Sequence, residues 1–191
     1  MKEYKLMFAY ILLALGLSQN AIAAVDADAG KQRAKMCLNC HGQDGNSTTS
    51  HIPSLAGQKP AYIANQLRAF RSGVRKDGMM NNMAKGLSNK EINNLAAFFT
   101  SLKNKSVGSE QEELISEGKR LVSNLCFGCH GSNAQGMGIT PRLAGQQPKY
   151  LAKQLRDFKN KTRKNPMMGS IAGGFSDDEI KALAEYMSSL K

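Results

Sequence analysis

The feature that most constrains the fold of this chain is an internal duplication. Residues 53–103 align with residues 141–191 without a gap at an offset of 88 positions, and about half of the aligned residues are identical. A polar, turn-forming stretch separates the two copies. The sequence therefore predicts two similar domains in tandem, over residues 24–104 and 111–191, joined by a linker at residues 105–110.

Each copy contains one Cys-x-x-Cys-His motif, at residues 37–41 and 126–130, and the two motifs together hold all four cysteines of the chain. This pattern is typical of the covalent attachment of c-type haem. Two thiols three residues apart can reach both vinyl groups of one porphyrin from a single helical turn, and the histidine that follows then lies beneath the iron as its proximal ligand. We therefore predict two covalently bound haem c groups and a function in electron transfer. The predicted attachment residues are Cys37, Cys40, Cys126 and Cys129, and the predicted proximal ligands are His41 and His130.

Three other uses of a Cys-x-x-Cys pair fit this sequence less well. Zinc ribbons usually bring two pairs together across about 15–20 residues, and the two pairs here are much farther apart. Thiol–disulfide motifs share the spacing but lie in βαβ surroundings, and no strand-rich pattern surrounds these cysteines. Two structural disulfides in an exported chain would leave unexplained why each pair is followed at once by histidine.

The first 23 residues have the pattern of a secretory signal peptide. Lys2 and Lys5 form a positive amino-terminal region, an apolar run extends over residues 6–17, and residues 21–23 fit a small-x-small cleavage site. The apolar run is shorter than the roughly 20 residues of a membrane span, and an uncleaved anchor is the alternative. The segment is therefore predicted to be removed on export, which places the mature chain in the periplasm.

The chain is strongly basic, with 26 lysines and arginines against 15 acidic residues and a formal charge of +11. Removal of the signal segment, with Lys2, Glu3 and Lys5, leaves +10. A basic surface attracts nucleic acid, anionic lipid or acidic proteins, and export argues against nucleic acid. The sequence leaves two interpretations open: a docking face for a redox protein, with peripheral contact at the membrane surface, or scattered solvated lysines.

The rest of each copy predicts helices separated by long loops, so the predicted fold class is all-α. A first helix is expected to run into each haem motif, at about residues 28–37 and 111–126. A middle helix starts at a proline, which suits the first helical position, and the last helix starts at a serine with glutamate three residues later, which is a capping box. These starting residues are Pro60, Pro148, Ser88 and Ser176. A buried haem would complete the small core of each domain.

The second axial ligand of each iron is expected to be a methionine, which favours the ferrous state. The first copy offers Met79, Met80 and Met83. Met83 aligns with isoleucine in the second copy, so it cannot serve the same role in both domains. Two aligned pairs remain, and the duplication alone does not separate them. These pairs are Met79 with Met167 and Met80 with Met168.

Over essentially the whole mature length, the chain resembles the two-haem class I cytochromes c of the cytochrome c4 family. The resemblance rests on both Cys-x-x-Cys-His motifs, on the repeated Leu-Ala-Gly-Gln at residues 55–58 and 143–146, and on the Leu-Ser-x-x-Glu-Ile at residues 87–92. In that family the ligand methionine lies seven residues before this leucine, which implies Met80. The second copy has phenylalanine in place of the leucine, and the same count implies Met168.

The resemblance also implies roles for residues around the haem. In class I cytochromes a proline carbonyl about a dozen residues after the haem histidine accepts the Nδ1 proton, and Pro53 and Pro141 stand at that position. The two domains are expected to pack face to face, with their haem propionates close together. The side chains that could bind the propionates, unless they form a solvated helix face, are Tyr62, Arg68 and Arg75 with their repeats Tyr150, Arg156 and Arg163. The third histidine, His51, is expected to be a surface loop residue.

These observations predict a soluble periplasmic dihaem cytochrome that carries electrons and is not itself an enzyme. The resemblance implies a quinol-oxidising complex or another donor on one side and a terminal oxidase on the other. One alternative is a dihaem subunit of an enzyme such as a flavocytochrome c sulfide dehydrogenase, whose flavin would belong to another chain. A ligand-binding haem enzyme such as a peroxidase would need an open iron site, and the paired methionines argue against it.

Overall fold

The computed structural model describes residues 25–122 and 124–191. The predicted signal peptide lies outside these residues. Within them, regular structure is helical apart from one isolated bridge between Met137 and Thr140, which confirms the all-α fold class. No helix in this part of the chain is long and apolar enough to cross a bilayer.

The helices follow the same order in both copies. In the first copy they are α1 (Ala27–Arg33), α2 (Lys35–His41), α3 (Pro60–Arg71), α4 (Gly78–Ala84) and α5 (Asn89–Ser101). In the second copy they are α6 (Glu112–Leu121), α7 (Asn124–His130), α8 (Pro148–Lys159), α9 (Pro166–Gly173) and α10 (Asp177–Ser189). Each helix from α1 to α5 thus has a counterpart in α6 to α10, which confirms a fold of two tandem, duplicated domains.

Local sequence determines where the last helix of each domain begins. The Ser88 hydroxyl accepts a hydrogen bond from the Glu91 N–H at 3.1 Å, and the Glu91 carboxylate accepts one from the Ser88 N–H at 2.8 Å. Ser176 and Glu179 form the same reciprocal pair at the start of α10. Both predicted capping boxes are therefore confirmed, and α3 and α8 each begin with proline as expected.

The structure corrects the first predicted helix of each copy, which is two helices rather than one. In the first domain the break falls at Ala34, whose carbonyl accepts from the Cys37 N–H three residues on, at 2.8 Å. In the second domain Val122 has extended backbone angles and ends α6. Residues on both sides of each break are adequate helix formers, so the sequence pattern did not indicate it. Each haem motif consequently lies on a helix of its own that is seven residues long.

A glycine allows the first and last helices of each domain to touch backbone to backbone. A Cβ at Gly30 of α1 would lie 2.1 Å from the carbonyl oxygen of Asn94 in α5, and one at Gly118 of α6 would lie 2.1 Å from that of Ala182 in α10. Atoms do not approach so closely, so only a residue without Cβ permits this crossing. The crossing positions α2 and α7, which follow directly, against the rest of their domains.

The domains meet through two equivalent glutamine side chains. The Gln146 amide accepts from the Ser54 N–H at 2.8 Å and donates to the Ser54 carbonyl at 2.9 Å. The Gln58 amide accepts from the Arg142 N–H at 2.7 Å and donates to the Arg142 carbonyl at 2.9 Å. Each residue of one pair is 88 positions from its equivalent in the other. The interface is therefore two-fold in character, with the same patch of each copy used twice.

Candidate haem sites and the interface between them

Each motif histidine is buried and held by one hydrogen bond. His41 is 6% exposed, and its Nδ1 lies 2.8 Å from the carbonyl oxygen of Pro53; His130 is 7% exposed, with its Nδ1 2.9 Å from the carbonyl oxygen of Pro141. A carbonyl oxygen can only accept, so Nδ1 carries the proton and donates it, which leaves Nε2 of the neutral ring unprotonated and able to bind a metal. Burial lowers the pKa of both histidines below the usual value, although the proline carbonyls act in the opposite direction.

A left-handed glycine turns the chain immediately after each histidine. Gly42 has φ of +87° and Gly131 has φ of +86°. A Cβ at Gly42 would also lie 2.0 Å from the carbonyl oxygen of Asn46, so a side chain is excluded both by backbone conformation and by space. The loop that begins there leads back to the proline carbonyl beneath the histidine ring. The sequence interpretation missed these two glycines, and their repetition directly after each motif was the available signal.

The two cysteines of each motif differ in exposure. Cys37 is half-buried and packs against the core of the first domain, whereas Cys40 is exposed. Cys126 and Cys129 show the same contrast in the second domain. Burial raises the pKa of the Cys37 thiol before the haem is attached. Within each motif, then, one sulfur lies at the core and one at the surface of the same short helix.

The two candidate methionine pairs have different surroundings. Met79 is 64% exposed and Met167 is 63% exposed. Met80 and Met168 are half-buried, and Met80 packs against the same apolar core as Cys37. In each loop the second methionine of the pair is therefore the one turned towards the interior.

Four of the six side chains considered for the propionates lie together where the domains meet. Arg75 donates to the Tyr150 hydroxyl at 3.2 Å, and Arg163 donates to the Tyr62 hydroxyl at 3.0 Å. Each guanidinium also stacks 4.5 Å from the ring centre of a phenylalanine in its own domain. This arrangement places two positive groups between the domains, where they can attract carboxylates.

The remaining two of the six lie elsewhere. Arg68 donates to the Asn93 side chain at 2.7 Å. Arg156 lies 3.8 Å from the Asp177 carboxylate. Both therefore use their guanidinium groups within their own domains. His51 is exposed in a loop, as expected for a surface residue.

Comparison with known proteins identifies the family. The model of the cytochrome c family matches residues 27–103 and again residues 115–191. Cytochrome c4 of Pseudomonas aeruginosa is 37% identical over 194 aligned residues, which cover 94% of this chain and 96% of that protein. The chain belongs to the cytochrome c4 family. It is therefore a dihaem electron-transfer cytochrome, and its cofactors are two covalently bound haem c groups.

The likeness to the cytochrome c4 family extends across both domains in three dimensions. The crystal structure of reduced recombinant cytochrome c4 from Pseudomonas stutzeri superposes with a TM-score of 0.82 at 34% identity, and the match covers 88% of this chain and all of that one (100%). A protein of Stutzerimonas stutzeri named thiosulfate dehydrogenase electron acceptor is 36% identical over 93% of this chain and 91% of its own length. Relatives of this kind act with redox partner proteins.

Proposed function

We propose that this cytochrome is a periplasmic electron carrier with one closed, six-coordinate haem in each domain. The haem groups are attached at Cys37 and Cys40 and at Cys126 and Cys129, and the axial ligands are His41 with Met80 and His130 with Met168. The observation that carries the proposal is the buried histidine whose Nδ1 donates to a proline carbonyl, present in both domains at 2.8 and 2.9 Å.

The donor sets fit a c-type haem. Each domain presents two thiols on one helical turn, one imidazole nitrogen without a proton, and one half-buried thioether. When bound, each haem supplies a one-electron ferric–ferrous couple. The proline carbonyl fixes the orientation of the imidazole and raises its basicity. With methionine as the second ligand, the iron would have no position left for a substrate. A site of this kind exchanges electrons without making or breaking other bonds.

The proposed donor is a quinol-oxidising complex or another reductant, and the proposed acceptor is a terminal oxidase. The first 23 residues support export to the periplasm, where both kinds of complex expose their electron-transfer sites. The +10 charge of the chain without that segment supports docking to acidic surfaces on such complexes, with peripheral contact at an anionic membrane.

A reconstitution experiment tests this function. Purified holoprotein, reduced beforehand, is mixed with membranes that contain a terminal oxidase, and its reoxidation is followed by absorbance; the oxidised protein is mixed with membranes that oxidise quinol. Rapid, salt-sensitive turnover in both directions supports the carrier function. Failure in both directions, with the two haem groups present by mass spectrometry, would contradict it.

A second candidate function is electron acceptance from a sulfur-oxidising enzyme, either as a free acceptor or as a bound dihaem subunit. The Stutzerimonas stutzeri relative named as an acceptor for thiosulfate dehydrogenase favours this possibility, and a flavocytochrome c sulfide dehydrogenase would be an alternative host. Gel filtration of the native protein distinguishes the cases, because a subunit would elute with its catalytic partner. Reduction by thiosulfate in the presence of a thiosulfate dehydrogenase, but not by quinol-oxidising membranes, would favour this candidate.

A further inference from the structure

The helices that carry the two candidate methionines are capped by side chains of different charge. In the first domain Asp77 is the N-cap of α4, and its Oδ1 accepts from the Met80 N–H at 3.0 Å. In the second domain Asn165 is the N-cap of α9, and its Oδ1 accepts from the Met168 N–H at 3.0 Å. Because the two hydrogen bonds have the same length and the same place in the helix, the caps differ in charge rather than in geometry.

We propose that Asp77 is a positioning residue that lowers the reduction potential of the haem in the first domain relative to that in the second. It does so through the negative charge that it holds against the backbone of Met80. The inference rests on the proposed function, since it takes Met80 and Met168 as axial ligands.

The physical reason is the charge that oxidation creates. Loss of one electron from a haem iron adds one positive charge to its site. A carboxylate held close to the ligand attracts that charge and stabilises the ferric form, whereas a neutral amide that makes the same hydrogen bond does not. A charged acceptor also makes the stronger hydrogen bond to the Met80 N–H. The negative charge and the stronger hydrogen bond are both present in the first domain alone.

The charge of Asp77 also acts beyond its own loop, towards the domain interface. Burial lowers the pKa of Arg75, but Tyr150, Tyr62 and, after them, Asp77 act in the opposite direction and raise the pKa overall. In the second copy Asn165 stands where Asp77 stands in the first, so Arg163 has no carboxylate at that place. The carboxylate is therefore one charge difference between the two halves of the interface.

Three lysines need to be considered beside the caps. Lys76 and Lys164 directly precede the caps at equivalent positions, so they do not distinguish the domains. Lys85 is exposed at the other end of α4, where the second copy has Gly173. Its positive charge acts in the opposite sense to Asp77, so a decisive test has to change the cap alone.

Exchange of the two caps provides that test. Asp77→Asn gives the first domain the cap of the second, and Asn165→Asp does the reverse. Asp77→Asn should favour the ferrous form of the first haem by about threefold at a fixed potential, which is ~30 mV upwards at 59 mV per tenfold for one electron. Asn165→Asp should favour the ferric form of the second haem by a similar factor. The measurement is a spectroelectrochemical titration of the dihaem protein, with each midpoint assigned through Met80→Ala and Met168→Ala.

The methionine–iron absorption band separates charge from structure. It should persist in both cap variants, because asparagine and aspartate cap a helix about equally well. Asp77→Ser, a second neutral cap, should shift the first haem in the same direction as Asp77→Asn. Any of four results would overturn the inference. These are unchanged midpoint potentials in the cap variants, a shift confined to the haem of the unaltered domain, opposite shifts in Asp77→Asn and Asp77→Ser, and loss of the absorption band in Asp77→Asn. An undiminished band in Met80→Ala would instead contradict the ligand assignment of the first haem, so the two failures are distinguishable.

Discussion

Asn81 in the first domain and Gly169 in the second occupy the same position in the two methionine loops. The Asn81 side chain accepts from the Asp77 N–H at 2.7 Å and donates to the carbonyls of Phe70 at 2.6 Å and Arg75 at 2.9 Å. Gly169 can make none of these bonds. In the second loop the helix instead begins with Pro166, whose fixed φ favours the helical start. A methionine can thus be held either by side-chain hydrogen bonds or by a restricted backbone.

The contacts around the histidine differ far less between the two domains than the contacts around the methionine. The histidine–proline hydrogen bond is 2.8 Å long in one domain and 2.9 Å in the other, and a left-handed glycine follows the histidine in both. The duplicated domains therefore support the imidazole in the same way but have diverged in how they support the methionine. We expect the different surroundings of the two methionines to give the two haem groups different properties.

The largest expected effect comes from removing the candidate methionine ligands. Met80→Ala and Met168→Ala should each abolish the methionine–iron absorption band of one haem, and the double variant should lose it completely. Met79→Ala and Met167→Ala are matched controls, because these neighbours are 64% and 63% exposed, and they should keep the band. Visible spectra of the oxidised proteins provide the measurement. A full band in the double variant would show that other residues ligate the iron.

The next largest expected effect is a loss of stability at the glycine crossings, and it should be equal in the two domains. Gly30→Ala and Gly118→Ala each place a Cβ 2.1 Å from a backbone carbonyl oxygen of the facing helix, and separation of the helices should cost about 2–3 kcal/mol of unfolding free energy. Denaturant unfolding of the holoprotein measures it. The control is Gly86→Ala, where a Cβ would meet no atom within 4 Å. A loss in only one domain would show that the two crossings are not equivalent.

A smaller loss of stability, similar for the two glutamines, is expected at the interface between the domains. Gln58→Ala and Gln146→Ala each remove two hydrogen bonds across the interface and one from the N–H of the next residue. The loss leaves a backbone N–H and carbonyl of the opposite domain unpaired, which should cost about 1–3 kcal/mol. Unfolding free energies and protease sensitivity of the linker report this loss. Gln43, which is exposed, serves as the control when changed to alanine. If either glutamine proved dispensable, the interface would be held by the arginine–tyrosine contacts instead.

The smallest expected effect is a difference in pKa between the two glutamates of the capping boxes. The Ser88 N–H and then the Arg33 guanidinium lower the pKa of Glu91 from 4.5 to about 2, whereas Glu179 is lowered mainly by its serine cap. A carboxylate with a depressed pKa stabilises the fold at pH values above about 4.5, and this contribution is lost as the pH falls towards 2. Carboxyl NMR titration should give Glu91 the lower pKa. Arg33→Leu introduces the residue found at the equivalent position of the second copy, and it should raise the pKa of Glu91 towards that of Glu179. An unchanged pKa of Glu91 would exclude its ion pair with Arg33 as a cause of the shift.

Local patterns predicted the elements that depend on neighbours in sequence. The capping boxes at Ser88 and Ser176 and the proline starts of α3 and α8 form from residues within one helical turn, so they could be identified directly. The break at Ala34 could not, because it depends on how α1 crosses α5 through Gly30. Burial of Met80 rather than Met79 likewise depends on which side of a short helix meets the core, and neighbouring residues do not encode that choice.

The placement of the arginines shows the same limit. Arg68 and Arg75 stood as equal candidates for the domain interface, since both lie on or just after one helix. Only Arg75 reaches the opposite domain, where it meets Tyr150, while Arg68 is occupied by Asn93 of its own domain. A helix presents several faces, and the position of the second domain decides which of them becomes the interface.

Covalent chemistry and duplication were readable from the order of residues alone, because a Cys-x-x-Cys-His motif acts within a single helical turn and a repeat is a property of the chain itself. The family resemblance, rather than any local pattern, implied the inward methionines and the proline carbonyls that meet the histidines. Only the tertiary structure decided how Gln58 and Gln146 join the domains. These depend on contacts between segments that are many residues apart, and such contacts are set by packing, which acts through space rather than along the chain.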